Sequence, residues 1–330
     1  MTNIERTRWR QKAATVLKYL LPPLALVGVA SLLFLASVVL SHPGQNRSTV
    51  RRGISPGAVS PAATLEDRYL DLLKKYLTRY DFAESYRQVS LNSPFRKLVG
   101  RFLASRGLEV VRVEPADPDE RMVGWDWPLT AETMIGLKRL DNLEYTIRDV
   151  VQRRVPGDLI EAGAWRGGAT IFMKAVLQVY HDEERRVWVA DSFQGLPKPN
   201  AELYPADAGS NFWVYDQLAV PVEEVQANFR RYGLLDERVK FLVGWFKDTL
   251  PSAPIGRLAV LRIDADMYQS TMEALRYLYP KLSVGGYAIL DDYGAVQASK
   301  KAVLDYRSEQ GITEEMKQID WSGVYWQKLR

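Results

Sequence analysis

Hydrophobic and polar positions follow a repeated pattern from residue 158 onward. Short apolar runs predict strands, which we place at Asp158–Ala162, Val187–Ala190, Val239–Val243, Leu258–Ile263 and Tyr287–Leu290. Between these runs, apolar residues recur at helical spacing and predict helices near 168–181, 221–232 and 270–279. Continuous apolar strands that alternate with helices are typical of a parallel sheet that is covered on both faces.

Further elements are predicted on both sides of this alternating segment. Two short strands, 317–319 and 324–327, are joined by the turn sequence DWSG and predict an antiparallel hairpin. Helical spacing also predicts helices at 65–82 and 131–155, and residues 107–128 between them have no regular pattern. We therefore predict a doubly wound α/β fold with a mostly parallel, seven-stranded sheet.

The N-terminal part of the chain has a different composition. Residues 1–19 form a basic tail, and residues 20–40 are uncharged and apolar. As a helix, this apolar stretch would span about 32 Å, the thickness of a hydrocarbon core. We predict a single transmembrane helix there, with a cleaved signal peptide as the alternative. Residues 41–63 are rich in Pro, Gly, Ser and Arg and predict a flexible linker.

After the linker we predict one catalytic body in two parts, a helical part at 64–155 and a sheet-containing core at 156–330. Residues 1–60 carry a net charge of +7 and the remaining residues sum to −3. A body that binds nucleic acid should carry a basic face, so we predict no nucleic-acid partner. The chain has no cysteine, which excludes thiolate metal sites, and only two histidines, which disfavours multi-histidine metal sites.

The ends of the first two core strands carry residues suited to binding a ligand, because ligands of such sheets bind beyond the carboxyl ends of the strands. The first strand runs into EAGAWRGGAT, where Gly163 and Gly167 permit close backbone approach at a helix N-terminus. The spacing is not G-x-G-x-x-G, and a plain tight turn is the alternative. Asp191, which ends the second strand, can accept hydrogen bonds from a ribose. Alternatively, Asp191 or Ser192 caps a turn.

Four carboxylates follow the next two apolar strands: Asp264 and Asp266 after one, and Asp291 and Asp292 after the other. Residues two apart in a strand point to the same side, and neighbouring strands lie about 4.8 Å apart. Two carboxylates about 4 Å apart repel by about 4 kcal/mol at an effective dielectric near 20. Such a cluster needs a cation or a shared proton, and an oxygen-only ligand set favours Mg²⁺. In the alternative, the acids cap turns or are solvated.

Several motifs between about residues 128 and 328 closely resemble the macrocin O-methyltransferase family, in the same order along the chain. They are TMIGLKRLDNLEY, VPGDLIEAGAWRGGATIFMKAV, VWVADSFQGLPKP, YPADAG, NFRRYGLLDERVKFLVGWFKDTLP, LAVLRIDADMYQSTMEALRYLYPKLSVGGYAILDDYG and IDWSGVYWQK. The C-terminal hairpin likewise suggests the class I methyltransferase type of the doubly wound fold. Residues 1–60 lie outside the resemblance.

This resemblance implies an S-adenosylmethionine-dependent O-methyltransferase that uses Mg²⁺ and acts on a hydroxyl of a sugar or glycosylated metabolite. By the same resemblance, the metal ligands are Asp264, Asp291 and Asp292, and the general base is Asp266. The residues that it implies for the cosubstrate site are Met134, Glu161, Gly163, Gly167, Asp191, Ser192 and Trp245. One departure is Ala265, where glycine is common and where alanine restricts the backbone.

The expected partners are a small-molecule or glycan acceptor and, through the N-terminal helix, a membrane; the sequence leaves a homo-oligomer open. Because S-adenosylmethionine is made in the cytosol, we expect the catalytic body on that side, although the flanking charges favour the opposite orientation. The long aromatic segment 196–220 predicts a lid or an acceptor wall, with a plain packing loop as the alternative. Two other functions stay open: a membrane-tethered, non-catalytic binding module, and another metal-dependent α/β enzyme that uses a nucleotide sugar.

Overall fold

The N-terminal part of the body is mainly helical and precedes the large sheet. The computed structural model describes residues 64–88, 94–108 and 110–330. Its first elements are α1 (Leu65–Thr78), β1 (Glu84–Gln88), α2 (Pro94–Ala104), β2 (Val111–Pro115), α3 (Pro118–Val123) and α4 (Leu137–Gln152). Strands β1 and β2 pair antiparallel in a sheet of their own.

Three of the sequence predictions for this part were wrong in detail. The helix predicted for 65–82 ends at Thr78, because Arg79 adopts a left-handed conformation with φ 58° and stops it. The helix predicted for 131–155 begins only at Leu137. The segment 107–128, predicted to be irregular, contains β2 and α3. Three of the five residues of β2 are polar or proline, so this strand has no apolar run to reveal it.

The predicted class I methyltransferase-like core is confirmed from residue 158 onward. Its remaining helices and strands are β3 (Asp158–Ala162), α5 (Gly168–Val179), β4 (Val187–Asp191), α6 (Val222–Arg231), β5 (Val239–Val243), α7 (Phe246–Thr249), β6 (Leu258–Ile263), α8 (Tyr268–Leu278), β7 (Leu282–Leu290), α9 (Gln297–Glu309), β8 (Lys317–Gln318) and β9 (Val324–Gln327). The seven strands have the order β5-β4-β3-β6-β7-β9-β8. Strands β3 to β7 pair in parallel, and β8 and β9 form the predicted antiparallel hairpin beside β7.

Both faces of the sheet are buried, since successive strand residues point to opposite sides. Leu159, for example, packs in one core with α1, α4, α5 and α6. Its neighbour Ile160 packs in the other core with α7, α8 and α9. Strands covered on both sides leave only their ends open to solvent, so polar residues concentrate at the carboxyl ends of the central strands.

The predicted transmembrane helix requires a correction. Within the described ranges, no helix has both the length and the apolar character needed to cross a membrane. Residues 20–40, for which the helix was predicted, lie outside those ranges, as do the basic tail and the linker. The fold class is therefore corrected to a class I methyltransferase-like α/β fold with a mixed seven-stranded sheet. The predicted membrane partner and membrane localisation are not retained.

Candidate active site

The carboxyl ends of β6 and β7 bring three aspartates together. The two strands are direct neighbours in the sheet. Asp264 follows β6, and Asp291 and Asp292 follow β7. Each of these side chains offers one oxygen atom, and the three oxygens lie within 4.8 Å of one another. The adjacency inferred from the sequence is therefore present at the place where a parallel sheet binds its ligands.

A buried arginine inside β6 neutralises part of this negative charge. The side chain of Arg262 is 1% exposed and forms ion pairs with Glu161 on β3 and with Asp291. It also lies 3.0 Å from Oδ2 of Asp264. A guanidinium suits this position because its planar fork donates to several carboxylates at once.

A second arginine reaches the cluster from α4. Arg139 forms an ion pair with Asp291, and its Nε donates to Oδ2 of Asp320 at 2.8 Å. Its Nη2 donates to the carbonyl oxygen of Val123 at 3.2 Å. Sequence reasoning did not identify Arg139 or Arg262. The available signals were an arginine within the apolar run LAVLRI and an arginine on the apolar stripe of α4.

Burial and mutual repulsion change the protonation of these acids. Burial raises the pKa of Asp264 to about 6 and that of Asp266 to about 7, and neighbouring carboxylates add to both shifts. Burial likewise raises the pKa of Glu161 to about 8 and that of Asp292 well above its usual value. For Asp291, burial is outweighed by Arg139 and Arg262, which hold its pKa below the ordinary range.

The loop after β6 is held to the end of β7 by hydrogen bonds from two backbone amides to the side chain of Asp292. Oδ2 of Asp292 accepts the amide N–H groups of Ala265 at 3.0 Å and of Asp266 at 2.9 Å. The extended geometry assumed for Asp264 and Asp266 does not continue, because Asp266 has φ 55°. Ala265 is not among the described residues with positive φ, so replacing glycine by alanine causes no conflict here. The strained residue is instead Asp266, and such strain is common at functional sites.

The glycine-rich turn directly contacts this loop. Gly163 has φ 95°, and a Cβ atom on it would lie 1.7 Å from the carbonyl oxygen of Asp264. Only glycine fits at that approach. Gly167 has a different environment, since a Cβ there would lie 2.7 Å from Cγ1 of Val225 on α6. Gly167 therefore allows close packing against α6, and it does not line the cavity described below.

Asp191 holds the same turn from the end of β4. Its Oδ2 accepts the amide N–H of Ala164 at 2.7 Å, and its Oδ1 accepts that of Phe193 at 2.8 Å. Burial raises the pKa of Asp191, and these N–H groups oppose the shift. The hydroxyl of Ser192 donates to the carbonyl oxygen of Gly195 at 2.6 Å. The turn-capping alternative for both residues is therefore present.

A cavity of about 710 Å³ connects the strand ends. Ten of the eleven predicted site residues line it: Met134, Glu161, Gly163, Asp191, Ser192, Trp245, Asp264, Asp266, Asp291 and Asp292. Residues of the segment between β4 and α6 form another wall, among them Leu196, Phe212 and Tyr215. This segment contains residues 196–220, for which a lid or an acceptor wall was predicted, and it borders the cavity. It is called the lid below.

The lid is attached to α8 by a buried aspartate that sequence reasoning did not single out. Asp207 is 1% exposed. Its Oδ1 accepts the amide N–H of Tyr268 at 2.7 Å, and its Oδ2 accepts that of Gln269 at 3.0 Å. These amides belong to the first two residues of α8, whose N–H groups have no partner within the helix. Asp207 thus caps the helix that begins directly after Asp266 and Met267.

Comparison with known proteins agrees with this geometry. The family described as Macrocin-O-methyltransferase (TylF) matches residues 66–328. A Streptomyces olivaceus protein named 8-demethyl-8-(2,3-dimethoxy-alpha-L-rhamnosyl)-tetracenomycin-C 4'-O-methyltransferase is 49% identical over 261 residues, which cover 79% of this chain and 92% of that protein. A Micromonospora griseorubida protein named Mycinamicin III 3''-O-methyltransferase is 44% identical over 273 residues, covering 82% and 99%.

A solved structure supports the same assignment. The structure of the O-methyltransferase NovP superimposes with a TM-score of 0.71 at 44% identity, and the match covers 80% of this chain and all of that chain. The family match spans more than half of the chain, and the fold and the cavity fit it. This chain therefore belongs to the macrocin O-methyltransferase family and is an S-adenosylmethionine-dependent O-methyltransferase.

Proposed function

We propose that this enzyme transfers the methyl group of S-adenosylmethionine to a sugar hydroxyl of a glycosylated small molecule, with a bound Mg²⁺ and an aspartate base. One observation carries the proposal: the glycine-rich turn and the acidic strand ends touch each other in the same cavity. A donor on the turn would therefore lie beside the carboxylates. The names of the relatives, which describe glycosylated acceptors, support the substrate class.

The acidic cluster fits a hard divalent cation. Asp264 and Asp292 each use one carboxylate oxygen, Oδ2, in hydrogen bonds with the described residues. The other oxygen of each, Oδ1, is left for a ligand. Asp291 uses both oxygens for the arginines but has further lone pairs. When ionised, the four carboxylates in contact with the two guanidiniums leave an excess of negative charge: Glu161, Asp264, Asp291 and Asp320. An oxygen-only donor set is the one that Mg²⁺ prefers.

The residues of this chain have separate tasks in the proposed reaction. Asp264, Asp291 and Asp292 would hold the ion, which lowers the pKa of a hydroxyl bound to it. Asp266 lines the cavity with its pKa raised to about 7, a value suited to a general base near neutral pH. It would take the proton of the acceptor hydroxyl while the oxygen attacks the methyl carbon and the sulfur leaves.

The cosubstrate would lie along the glycine-rich turn. Gly163 allows close backbone approach, and Asp191 fixes the turn through its amide contacts and retains acceptor capacity for a ribose hydroxyl. Met134, which precedes α4, and Trp245, which follows β5, border the same cavity and would contact the donor. The cavity size is in the range of small-molecule sites.

Two measurements test the proposal. In isothermal titration, S-adenosylhomocysteine should bind, and labelled donor should transfer methyl to a glycoside only with Mg²⁺ present. Asp292→Asn should weaken Mg²⁺ binding, and Asp266→Asn should lower kcat by about 10²–10⁴ without changing affinity for S-adenosylhomocysteine. The exposed lid residue Asp216, changed to Asn, is the matched control. Transfer that is undiminished by chelation, or binding of a nucleoside diphosphate sugar in place of S-adenosylhomocysteine, would refute the proposal.

A further inference from the structure

A second, smaller chamber adjoins the active-site cavity. Its volume is about 270 Å³, and four of its eight lining residues are aromatic: Tyr86, Trp125, Trp127 and Trp165. Two of these, Trp127 and Trp165, also line the large cavity. The two spaces therefore lie side by side and share a wall of indole rings.

The indoles form two edge-to-face pairs. Trp127 and Trp165 meet edge to face, with ring centroids 6.3 Å apart. Trp125 meets Trp321 in the same way at 5.9 Å, and Trp321 lines the large cavity beside the acidic cluster. Together with Trp245, which also lines the large cavity, five of the nine tryptophans of the chain lie around these two spaces. Aromatic rings arranged edge to face leave faces available for stacking.

Some of these rings are fixed and others are exposed. The indole N–H of Trp165 donates to the carbonyl oxygen of Gln217 at 2.9 Å, and the guanidinium of Arg166 lies 4.4 Å from its ring centroid. Trp125 in contrast is 66% exposed, and Trp127 is 37% exposed. Exposed indoles beside a concave site mark binding surface more often than fold stability, because they gain burial only when a ligand covers them.

The charged groups of the chamber are engaged within the protein. Asp126 forms an ion pair with Arg121 at 3.0 Å. Arg166 donates to the carbonyl oxygens of Leu129 at 2.6 Å and of Ala131 at 2.9 Å. The remaining lining consists of aromatic rings, an aliphatic side chain and the neutral amide of Gln217. Such a lining suits an uncharged, planar apolar group, and it does not suit a diphosphate.

From these contacts we infer that the chamber binds the aglycone of the acceptor, an uncharged and largely aromatic group that carries the sugar to be methylated. The inference rests on the proposed function for the identity of the sugar. In this arrangement the donor and the reacting sugar occupy the large cavity, and the aglycone extends past the paired rings of Trp127 and Trp165 into the chamber. Binding of a remote, non-reacting group is a general means of aligning the reacting hydroxyl.

Direct binding to the protein loaded with S-adenosylhomocysteine and Mg²⁺ tests the inference. The probes are 1-naphthyl α-L-rhamnoside and methyl α-L-rhamnoside, which share one sugar and differ in the aglycone. We expect the naphthyl glycoside to bind about tenfold or more tightly, which corresponds to the gain from one or two aromatic contacts. Equal affinities, no measurable binding of the naphthyl glycoside, or tighter binding of dTDP-rhamnose would overturn the inference.

Variants locate the effect. Trp125→Ala should remove most of the preference for the naphthyl probe and leave affinity for the methyl glycoside unchanged, whereas Trp125→Phe should keep most of it. Tyr277 is also an exposed aromatic residue, 38% exposed on α8, but lines neither space, so Tyr277→Ala is the control. An unchanged preference in Trp125→Ala would contradict the assignment. If the wild type bound no S-adenosylhomocysteine or transferred no methyl group, that result would instead count against the proposed function.

Discussion

Replacing Asp207 by Asn should destabilise the protein and loosen the lid. The carboxylate is buried and accepts two amide N–H groups at the start of α8, from Tyr268 and Gln269. Asparagine has nearly the same shape, but its side chain offers one acceptor oxygen and one NH₂ group. In the variant, one amide keeps a neutral hydrogen bond, and the other amide faces a second donor.

The magnitude follows from the two hydrogen bonds. A hydrogen bond to a charged group contributes about 1.5–3 kcal/mol, a neutral one contributes about 0.5–1.5 kcal/mol, and a buried donor left unpaired costs about 1–3 kcal/mol. The negative charge at the helix N-terminus adds about 0.3–1 kcal/mol. Together these terms predict that the free energy of unfolding falls by roughly 3 kcal/mol, a large part of the roughly 5–15 kcal/mol of a typical protein.

Urea unfolding and thermal unfolding measure this loss, and the melting temperature should fall by about 5–10 °C. Asp216→Asn is the control, because Asp216 lies in the same lid with an exposed side chain. It should change the free energy of unfolding by no more than about 0.5 kcal/mol. If Asp207→Asn were as stable as the control, the two hydrogen bonds would not hold the lid, and the reasoning would be refuted.

Two further changes test other contacts. Gly163→Ala should abolish S-adenosylhomocysteine binding and lower the free energy of unfolding by about 3 kcal/mol or more, since its Cβ would meet the Asp264 carbonyl. Gly233 also has a positive φ but faces open space. Gly233→Ala should therefore lower the free energy of unfolding by only about 1 kcal/mol in the same assay. Partial burial acts to raise the pKa of Asp236, but hydrogen bonds from Lys174 and the backbone hold it below its usual value. The resulting stability is present above the unfolded pKa near 4 and is lost as pH falls through the lower folded pKa. Wild type and Lys174→Met should therefore differ more in free energy of unfolding at pH 7 than at pH 3, and a constant difference would contradict this.

The core strands were predictable because their sequences leave little choice. Leu258–Ile263, for example, is an apolar run of strand length, and its bounds in the structure are those predicted. The helix α9 was missed since its apolar residues, such as Ala302 and Val303, are few and interrupted by charges. No described side chain of the paired strands β1 and β2 is buried, so burial did not impose a readable alternation on them.

The candidate site likewise has residues that the sequence predicted and residues that it did not. Each strand-end aspartate was readable because an acid directly after an apolar run lies at the ligand-binding edge of the sheet. What the sequence did not reveal depends on contacts between distant segments. Arg139 lies 152 positions from Asp291 along the chain, and Asp207 lies 61 positions from Tyr268. No local sequence pattern links such pairs.

The arginines explain how acids of similar chemistry can have different tasks in the proposed mechanism. Arg139 and Arg262 both bind Asp291 and keep it ionised, so this carboxylate stays charged without a metal. Asp264 and Asp266 receive less compensation, and burial raises the pKa of each. A cation that replaces protons in the cluster would stabilise the ionised forms of its ligands. Asp266 follows Ala265 in the loop and has a positive φ. It would then be the acid that remains to accept a proton from the substrate.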